Sequence, residues 1–268
     1  MNPKCVWYIS KYVVVPSVSS SGGGGRGFMI MKELAKLGHK SIVITSDSIA
    51  FSDVPIVKKS FYKEEISNVE IIWLKTFKYS IAKSTKRIIS WLHFKFKLLL
   101  LNKSKITKPD TIIISSLSIL TILSGLYLKR KYQCRLIFEI RDIWPLTLIE
   151  EGNYSANNLL IKLLSWIEKL GYKFSDHIVG TMPNLEQHVL DNISNPPPVS
   201  CVPMGVDIDE MNNIIPISDE YFRDYLSCKS FKVVHAGSIG ITNALDTFFK
   251  CAESLKDNSN IKFIIVGE

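Results

Sequence analysis

A glycine-rich stretch near the start of the chain is the first feature that could do chemistry. Residues 21–27 read Ser-Gly-Gly-Gly-Gly-Arg-Gly, and they follow a strand-like run at residues 5–10 and lead into a helix-like run at residues 26–37. Backbone without side chains lets a ligand approach the N–H groups. The first turn of a helix adds unpaired donors and the positive end of the helix dipole. The stretch therefore predicts a loop that contacts phosphate or pyrophosphate, with a plain surface loop as the alternative.

The same glycines match the fingerprint of dinucleotide-binding folds. Gly22, Gly24 and Gly27 have the G-x-G-x-x-G spacing, and Asp47 stands 20 residues beyond Gly27, at the end of the second predicted strand. The glycines begin about a dozen residues after the first strand, however, whereas the fingerprint turn follows its strand directly. An NAD(P)-dependent oxidoreductase therefore stays open as an alternative function.

The second chemical candidate is the segment Glu139–Pro145, which reads EIRDIWP and follows an apolar strand. A carboxylate beside an arginine stays ionised near neutral pH. Such a group can orient a hydroxyl or accept its proton. We predict Glu139, Arg141 and Asp142 as catalytic residues, and a structural Arg–Asp pair at the strand end is the alternative.

Strand-like and helix-like runs alternate along the chain, which is typical of an α/β fold. Short and almost wholly apolar strands predict a parallel, doubly wound sheet with helices on both faces. Ligands of such sheets bind beyond the carboxyl ends of the strands, where both candidate segments lie. The strands predicted for the first part of the chain are residues 5–10, 41–45, 69–73, 111–115, 135–139, 177–180 and 199–203.

A fresh strand, glycine loop, helix and strand follow between residues 231 and 266. We predict an N-terminal Rossmann-like domain over residues 1–200, a connection over 201–230, and the first β-α-β unit of a second Rossmann-like domain over 231–268. One such unit cannot bury both faces of its sheet. We therefore expect the natural protein to continue beyond this chain.

Positive charge is concentrated in one segment. The chain carries a formal charge of +8, whereas residues 58–105 alone hold twelve Lys or Arg and three Glu. Within that segment, residues 80–101 mix cations with aromatic and aliphatic side chains, which is typical of a helix lying on anionic lipid. A basic helix packed on the sheet is the alternative. We predict contact with an anionic membrane surface through Lys83, Lys86, Arg87, Trp91, Lys95 and Lys97.

Several other classes of protein are disfavoured. The segment lacks a recognised nucleic-acid motif, so we expect no nucleic-acid partner. Five widely spaced cysteines without a C-x-x-C pair argue against a zinc or redox site and favour a reducing, cytoplasmic compartment. Residues 111–128 are uncharged over 18 residues, the minimum for a membrane span. Their Ser and Thr content favours a buried strand, a turn and a helix instead.

The order of these segments resembles family-four glycosyltransferases of the GT-B fold. The resemblance rests on the glycine-rich loop, the passage LAKLGHKSIVIT, the EIRDIWP segment, PMGVD at residues 203–207, HAGSIG at residues 235–240, and FIIVGE at the end. The sequence is similar in particular to the bacterial subgroup that builds surface polysaccharides, including amino-sugar transferases of O-antigen assembly.

The resemblance implies an enzyme without metal or other cofactor that moves a hexosyl or amino sugar, with retention of configuration, from a nucleotide-diphosphate sugar to a lipid-linked saccharide. It implies a location at the inner face of the cytoplasmic membrane. The donor contacts it implies are Gly24, Gly25, Arg26, Gly205, Asp207, His235, Gly237, Ser238 and Gly240.

Two departures from the family pattern qualify that expectation. Met204 replaces the Asn of the usual PNGVD segment. The family's carboxylate pair, E-x7-E, would lie beyond residue 268, so we expect a truncated chain with impaired donor binding. A non-catalytic remnant, or one subunit of a split enzyme that binds a partner or acceptor, is therefore the second alternative function.

Overall fold

The chain folds into two compact units, Met1–Ile208 and Asp209–Glu268. The computed structural model describes residues 2–18, 24–48, 54–79, 85–101, 106–150, 154–208, 212, 216–237, 239 and 243–267. The predicted domain limits at residues 200 and 231 stay predictions.

An eight-stranded sheet forms the centre of the first unit. Its order is β3-β4-β2-β1-β5-β6-β7-β8, and all neighbouring strands are parallel except the antiparallel pair β3 and β4. The predicted α/β class with a large parallel sheet is confirmed. The strands are β1 (Cys5–Ile9), β2 (Lys40–Ser46), β3 (Phe61–Ile66), β4 (Val69–Leu74), β5 (Thr111–Ser115), β6 (Arg135–Ile140), β7 (His177–Gly180) and β8 (Val199–Cys201).

Helices cover both faces of this sheet because its central strands are buried on both sides. Successive side chains of a strand point to opposite faces, so Trp7 and Tyr8 of β1 enter different core clusters. Tyr8 packs with Phe28 and Met31 of α1, whereas Trp7 shares its cluster with residues of α2, α3, α5 and α6. The helices are α1 (Arg26–Lys36), α2 (Thr85–Leu100), α3 (Thr121–Tyr132), α4 (Leu146–Glu150), α5 (Leu159–Phe174) and α6 (Leu185–Asn192).

The edge strand β3 is an element that the hydrophobic pattern did not predict. It joins β4 through a two-residue turn at Ser67 and Asn68, whose φ angles are 51° and 61°. Positive φ at both central residues is the geometry that suits the twist of a tight hairpin. The strand has a neighbour on one side only and carries Lys63, Glu64 and Glu65, which hides it from a search for apolar runs.

The second unit contains the predicted β-α-β unit. Strand β9 (Phe231–Ala236) pairs in parallel with β10 (Ile261–Val266), and α7 (Asp246–Ser254) connects them. A short helical segment, Asp219–Tyr221 followed by Phe222–Leu226, precedes β9.

The uncharged residues 111–128 form β5, the short helical turn Ser116–Ser118 and the first half of α3. Across the described ranges, no helix is both long enough and apolar enough to cross a bilayer.

Close packing of α5 on β6 gives the first testable prediction. A Cβ atom at Gly171 would lie 2.6 Å from Cε1 of Phe138 and 3.0 Å from Cγ1 of Ile122. We expect Gly171→Ala to lower the free energy of unfolding by about 1–3 kcal/mol, because a filled core resists extra volume. This loss should appear even though alanine favours helices by about 1 kcal/mol over glycine.

Urea denaturation measures the effect, and Gly205→Ala is the control. A Cβ at Gly205 meets no heavy atom within 4 Å, so that variant should stay within about 0.5 kcal/mol of the wild type. Equal stabilities for the two variants would contradict the packing argument.

Candidate functional site

The candidate site lies at the edge of the sheet where the parallel strands end. The loops after β1, β5, β6 and β8 all leave from this edge, and the loop that follows β1 leads into the first turn of α1. This is the edge at which doubly wound folds bind their ligands.

Ser116 fixes the backbone of the predicted catalytic loop. Its Oγ accepts hydrogen bonds from the backbone N–H groups of Arg141 at 2.9 Å and Asp142 at 3.2 Å, and it donates to the Asp142 carbonyl at 3.1 Å. Asp142 is exposed and Arg141 is half-buried. The structure therefore presents the Asp142 carboxylate to solvent at the ligand edge, and its catalytic role stays a prediction.

Glu139 has a different position from the one expected of a catalytic residue. Its Oε1 accepts from Nε of Arg26 at 2.9 Å, and its Oε2 accepts from the hydroxyl of Tyr8 at 2.5 Å. Burial, reinforced by the Glu139 carboxylate, raises the pKa of Tyr8, so this hydroxyl remains a donor. Both carboxylate oxygens are engaged inside the protein, which suits Glu139 to hold its neighbours in place, and its predicted catalytic role stays a prediction.

Arg26 is likewise engaged within the protein rather than turned toward a diphosphate. Its Nη1 donates to the Pro203 carbonyl at 2.8 Å and its Nη2 to the Val202 carbonyl at 2.9 Å. The side chain is 5% exposed. Arg26 ties the segment after β8 to α1 and β6, and its predicted role in donor binding stays a prediction.

Asp207 belongs to the same tie. Its Oδ2 lies 2.6 Å from Nζ of Lys32 on α1, and its side chain is 7% exposed. An ion pair this close to the end of the first unit anchors the outgoing chain, and the predicted donor contact of Asp207 stays a prediction. Gly205, between the two anchors, is exposed, and its predicted donor contact stays a prediction.

The described glycines of the first candidate loop pack against the protein. The N–H of Gly25 donates to the Val14 carbonyl at 2.8 Å. A Cβ at Gly24 would come within 3.1 Å of Cγ of Phe28. Close packing therefore accounts for glycine at both positions. The N–H groups in the first turn of α1 remain the candidate for a phosphate contact, and Gly22 lies outside the described residues.

A group of aromatic residues that sequence reasoning missed lines the same edge. The Trp91 Nε1 of α2 donates to the Tyr12 hydroxyl at 2.6 Å, and that hydroxyl lies 3.0 Å from the hydroxyl of Tyr79. Trp91 also packs edge-on against Trp144 of the EIRDIWP segment, with ring centroids 5.7 Å apart. We call Tyr12, Tyr79, Trp91 and Trp144 the aromatic wall. The sequence does not reveal this grouping, because the four residues come from four separate segments of the chain.

The aromatic wall changes the predicted membrane contacts. Trp91 is 8% exposed and points inward, and the Arg87 guanidinium lies over the rings of Tyr12 and Trp91. Both side chains are thus engaged at the aromatic wall, and membrane contact through them stays a prediction. Lys86 is exposed, Lys95 and Lys97 are half-buried, and Lys83 lies outside the described residues.

Lys11 is a fully buried cation beside the wall. Its Nζ donates to the Ser48 carbonyl at 2.7 Å and lies 4.5 Å and 5.0 Å from the ring centroids of Tyr12 and Tyr79. Burial lowers the pKa of Lys11 to about 7, and the nearby cation Arg87 adds to the effect. A lysine directly after a predicted strand end is the signal that could have found it.

Asp47 does not fit the oxidoreductase alternative. Its Oδ1 accepts from the backbone N–H of Thr76 at 2.8 Å, and its Oδ2 pairs with Lys78 at 3.1 Å. The side chain is 1% exposed. A carboxylate that is buried and occupied in this way cannot bind the hydroxyls of a ribose, so the dinucleotide interpretation is discarded.

The donor residues predicted in the second unit follow β9. His235 is half-buried with its ring packed edge-on to Phe248, and Gly237 has φ +153°, which favours glycine. Ser238 and Gly240 lie outside the described residues. Within the part of the chain that the structure describes, no three His, Cys, Asp or Glu side chains are grouped to hold a metal ion.

The Arg26–Glu139 pair gives the second prediction. We expect Glu139→Leu to lower the free energy of unfolding by about 3–5 kcal/mol, because the change leaves the Arg26 charge buried and unpaired. The double variant Arg26→Met with Glu139→Leu should lose less than the sum of the two single variants. Chemical denaturation of the four proteins completes the cycle.

The exposed pair of Glu33 and Lys36 on α1 is the matched control. Glu33→Gln should change the free energy of unfolding by less than about 1 kcal/mol. Additive single and double variants at Arg26 and Glu139 would show that the buried pair is not coupled.

Lys11 gives the third prediction. Between pH 7 and 10.5 the unfolded lysine binds a proton that the folded lysine has lost, so wild-type stability rises with pH in that window. We therefore expect the stability of Lys11→Met relative to the wild type to fall by up to about 1.4 kcal/mol per pH unit over this range. Urea denaturation at several pH values measures the difference in stability between variant and wild type. For the exposed control Lys36→Met, this difference should not change with pH. A flat difference for Lys11→Met would refute the lowered pKa.

Comparison with known proteins places this geometry in a family. The model for Glycosyltransferase Family 4 matches residues 22–210, which is more than half of the chain. No curated protein sequence matches.

Solved structures share the fold at low sequence identity. Sucrose-phosphate synthase from Thermosynechococcus elongatus is 12% identical with a TM-score of 0.62, over 98% of this chain and 70% of that chain. A structure described as trehalose-6-phosphate from E. coli bound with UDP-2-fluoro glucose is 12% identical with a TM-score of 0.67, over 98% of this chain and 64% of that chain. The chain belongs to glycosyltransferase family 4 and has the Rossmann-like α/β fold of the GT-B glycosyltransferases.

Proposed function

We propose that this protein transfers a sugar from a nucleotide-diphosphate donor to a lipid-linked saccharide during assembly of a bacterial surface polysaccharide. The observation that supports the proposal most is the family match over residues 22–210, which includes the first turn of α1, the EIRDIWP segment and the segment after β8. The UDP-sugar analogue in the name of the E. coli structure makes UDP-sugars the first donors to test.

The reaction needs one bond to break and one to form. The bond between the anomeric carbon and the diphosphate oxygen breaks, and the nucleotide diphosphate leaves with the electron pair. The acceptor oxygen bonds to that carbon and loses its proton. Asp142, exposed at the ligand edge with its backbone held by Ser116, is suited to orient the acceptor hydroxyl or accept its proton.

Other residues have supporting roles in this proposal. The first-turn N–H groups of α1, which follow Gly24 and Gly25 in the chain, would contact the donor diphosphate, which helix donors can neutralise without a metal ion. Arg141, half-buried and next to Asp142 in the chain, adds a positive charge to this part of the site. Glu139 and Arg26 hold the surrounding backbone in place.

The unit containing the large sheet would hold the acceptor, and the second unit would contribute His235, Gly237, Ser238 and Gly240 to donor binding. A lipid-linked acceptor implies work at the inner face of the cytoplasmic membrane. The exposed cation Lys86 of α2, with half-buried Lys95 and Lys97, favours an anionic surface there. Transfer of a hexosyl or amino sugar with retention of configuration completes the proposal.

The fourth prediction tests Asp142. Incubation with UDP-hexoses or UDP-N-acetylhexosamines and a polyprenyl-diphosphate-linked saccharide should release UDP. We expect Asp142→Asn to lower kcat by about 10²–10⁴, which is the contribution typical of a positioned general base. Its unfolding midpoint should not change, since the side chain is exposed.

Asp191→Asn, an exposed aspartate on α6, is the control and should keep full activity. Equal rates for both variants would remove Asp142 from the mechanism. A folded protein that binds acceptor but releases UDP from no donor would favour the alternative, a non-catalytic remnant or one subunit of a split enzyme.

A further inference from the structure

Three neighbouring helices of the first unit share an unusual outer surface. α2, α3 and α5 pack on the same face of the sheet, and α3 contacts both of the others. Phe94, Leu128 and Leu164, one from each helix, lie in the same core cluster beneath them. The outer sides of the three helices therefore lie next to one another and face away from the sheet. We call this surface the outer helix face.

Apolar side chains form stripes on the outer helix face. On α2, Ile88, Leu92, Phe96 and Leu100 recur every four residues and are 45–64% exposed. Side chains four apart on a helix lie on one side. On α5, Leu159, Leu163 and Trp166 follow at spacings of four and three residues, which also keeps them on one side of the helix, and they are 50–82% exposed. A helix that covers only a sheet would bear polar residues on this side, so these stripes are suited to contact a second apolar phase.

The charge of the outer helix face is mostly positive, and Lys129 of α3 is paired with Asp176, which follows the end of α5. The sequences of α2, α3 and α5 contain ten Lys or Arg and a single carboxylate, Glu168. Glu168 is 3% exposed and accepts from the Tyr172 hydroxyl, so it is not part of the surface. Lys86, Lys162 and Lys169 are among the exposed cations. The next helix of the layer, α6, carries Glu186 and Asp191 and marks the limit of this pattern.

We infer that the outer helix face binds an anionic lipid bilayer, with the apolar stripes in the interface and the cations at the headgroups. Stripes of Trp, Phe and Leu beside Lys and Arg are the pattern of surfaces that lie in a bilayer interface, and each cation there is attracted to anionic lipid. A second copy of the chain is a poor occupant. Two such faces would set cation against cation, and the three helices expose no carboxylate that could pair with them.

This inference deepens the proposed function, since it extends membrane contact from α2 to α3 and α5 and names the partner. α2 also connects the bilayer to the candidate site. Its inward side chain Trp91 donates a hydrogen bond to the Tyr12 hydroxyl and packs edge-on against Trp144 at the ligand edge. A helix that rests on lipid would therefore form one side of the candidate site that a lipid-linked saccharide must reach.

The fifth prediction is tested by flotation of the full chain with phosphatidylcholine vesicles, with and without phosphatidylglycerol. We expect binding to vesicles that contain phosphatidylglycerol and its loss at high salt. The double variant Leu163→Gln with Trp166→Gln should lower the partition coefficient by about tenfold or more, because both side chains leave water on binding. Leu37→Gln is the control: Leu37 is 74% exposed at the end of α1, on the other face of the sheet.

Charge is tested separately. Lys162→Gln with Lys169→Gln should lower binding about fivefold for each cation that reaches the headgroups. Lys58→Gln with Lys59→Gln removes two exposed cations that lie off the three helices. That control should bind like the wild type.

Wild-type binding by both α5 variants would overturn the inference, as would equal binding to neutral and anionic vesicles. A dimer in analytical ultracentrifugation that Trp166→Gln dissociates would also overturn it, because the face would then join two copies. Neither donor nor acceptor is present in flotation, so vesicle binding without sugar transfer would refute only the proposed function. Sugar transfer to a water-soluble acceptor without vesicle binding would refute only this inference.

Discussion

The ligand edge of the first unit depends on one buried ion pair, that of Arg26 and Glu139. Arg26 opens α1, Glu139 lies near the end of β6, and the hydroxyl of Tyr8 joins them to β1. The remaining guanidinium donors hold the carbonyls of the segment after β8. Four parts of the chain thus meet at this ion pair. A buried charge without its partner is costly, so the position of each of these four segments restricts the positions of the others. The loop that carries Asp142 follows β6, so its starting point is restricted by the same contacts.

Burial of the central strands is the second constraint, and α2 contributes both to this burial and to the ligand edge. The helix must cover apolar side chains of the sheet, for which it uses Phe94 and Leu98. It also supplies Trp91 and Arg87 to the ligand edge. These demands account for its inner side only. Among the described residues of the first unit, the apolar side chains on the outer side of α2 are exposed and cover no other element. The proposed contact with lipid would explain why they are apolar.

The sequence predicts the fold well because an apolar run is a local signal. The predicted strands of the sheet and the β-α-β unit of the second unit all appear, and so does the position of EIRDIWP at a strand end. β3 was missed because an edge strand need not be apolar. Residue roles were harder to predict, since partners such as Arg26 and Glu139 are 113 positions apart. Which side of α2 faces inward was also hidden, because aromatic residues occur on both sides of that helix.

The charges of β3 have a further effect on how the molecule behaves at high concentration. An edge strand offers a row of backbone donors and acceptors to any other extended chain, and charged side chains discourage such pairing. Lys63 of β3 pairs with Glu70 of β4 at 2.6 Å, and this ion pair keeps charged side chains at the β3 edge of the sheet. The opposite border, β8, is only three residues long, which leaves little ladder to extend. Both borders therefore resist edge-to-edge aggregation, in a protein whose exposed apolar stripes lie elsewhere.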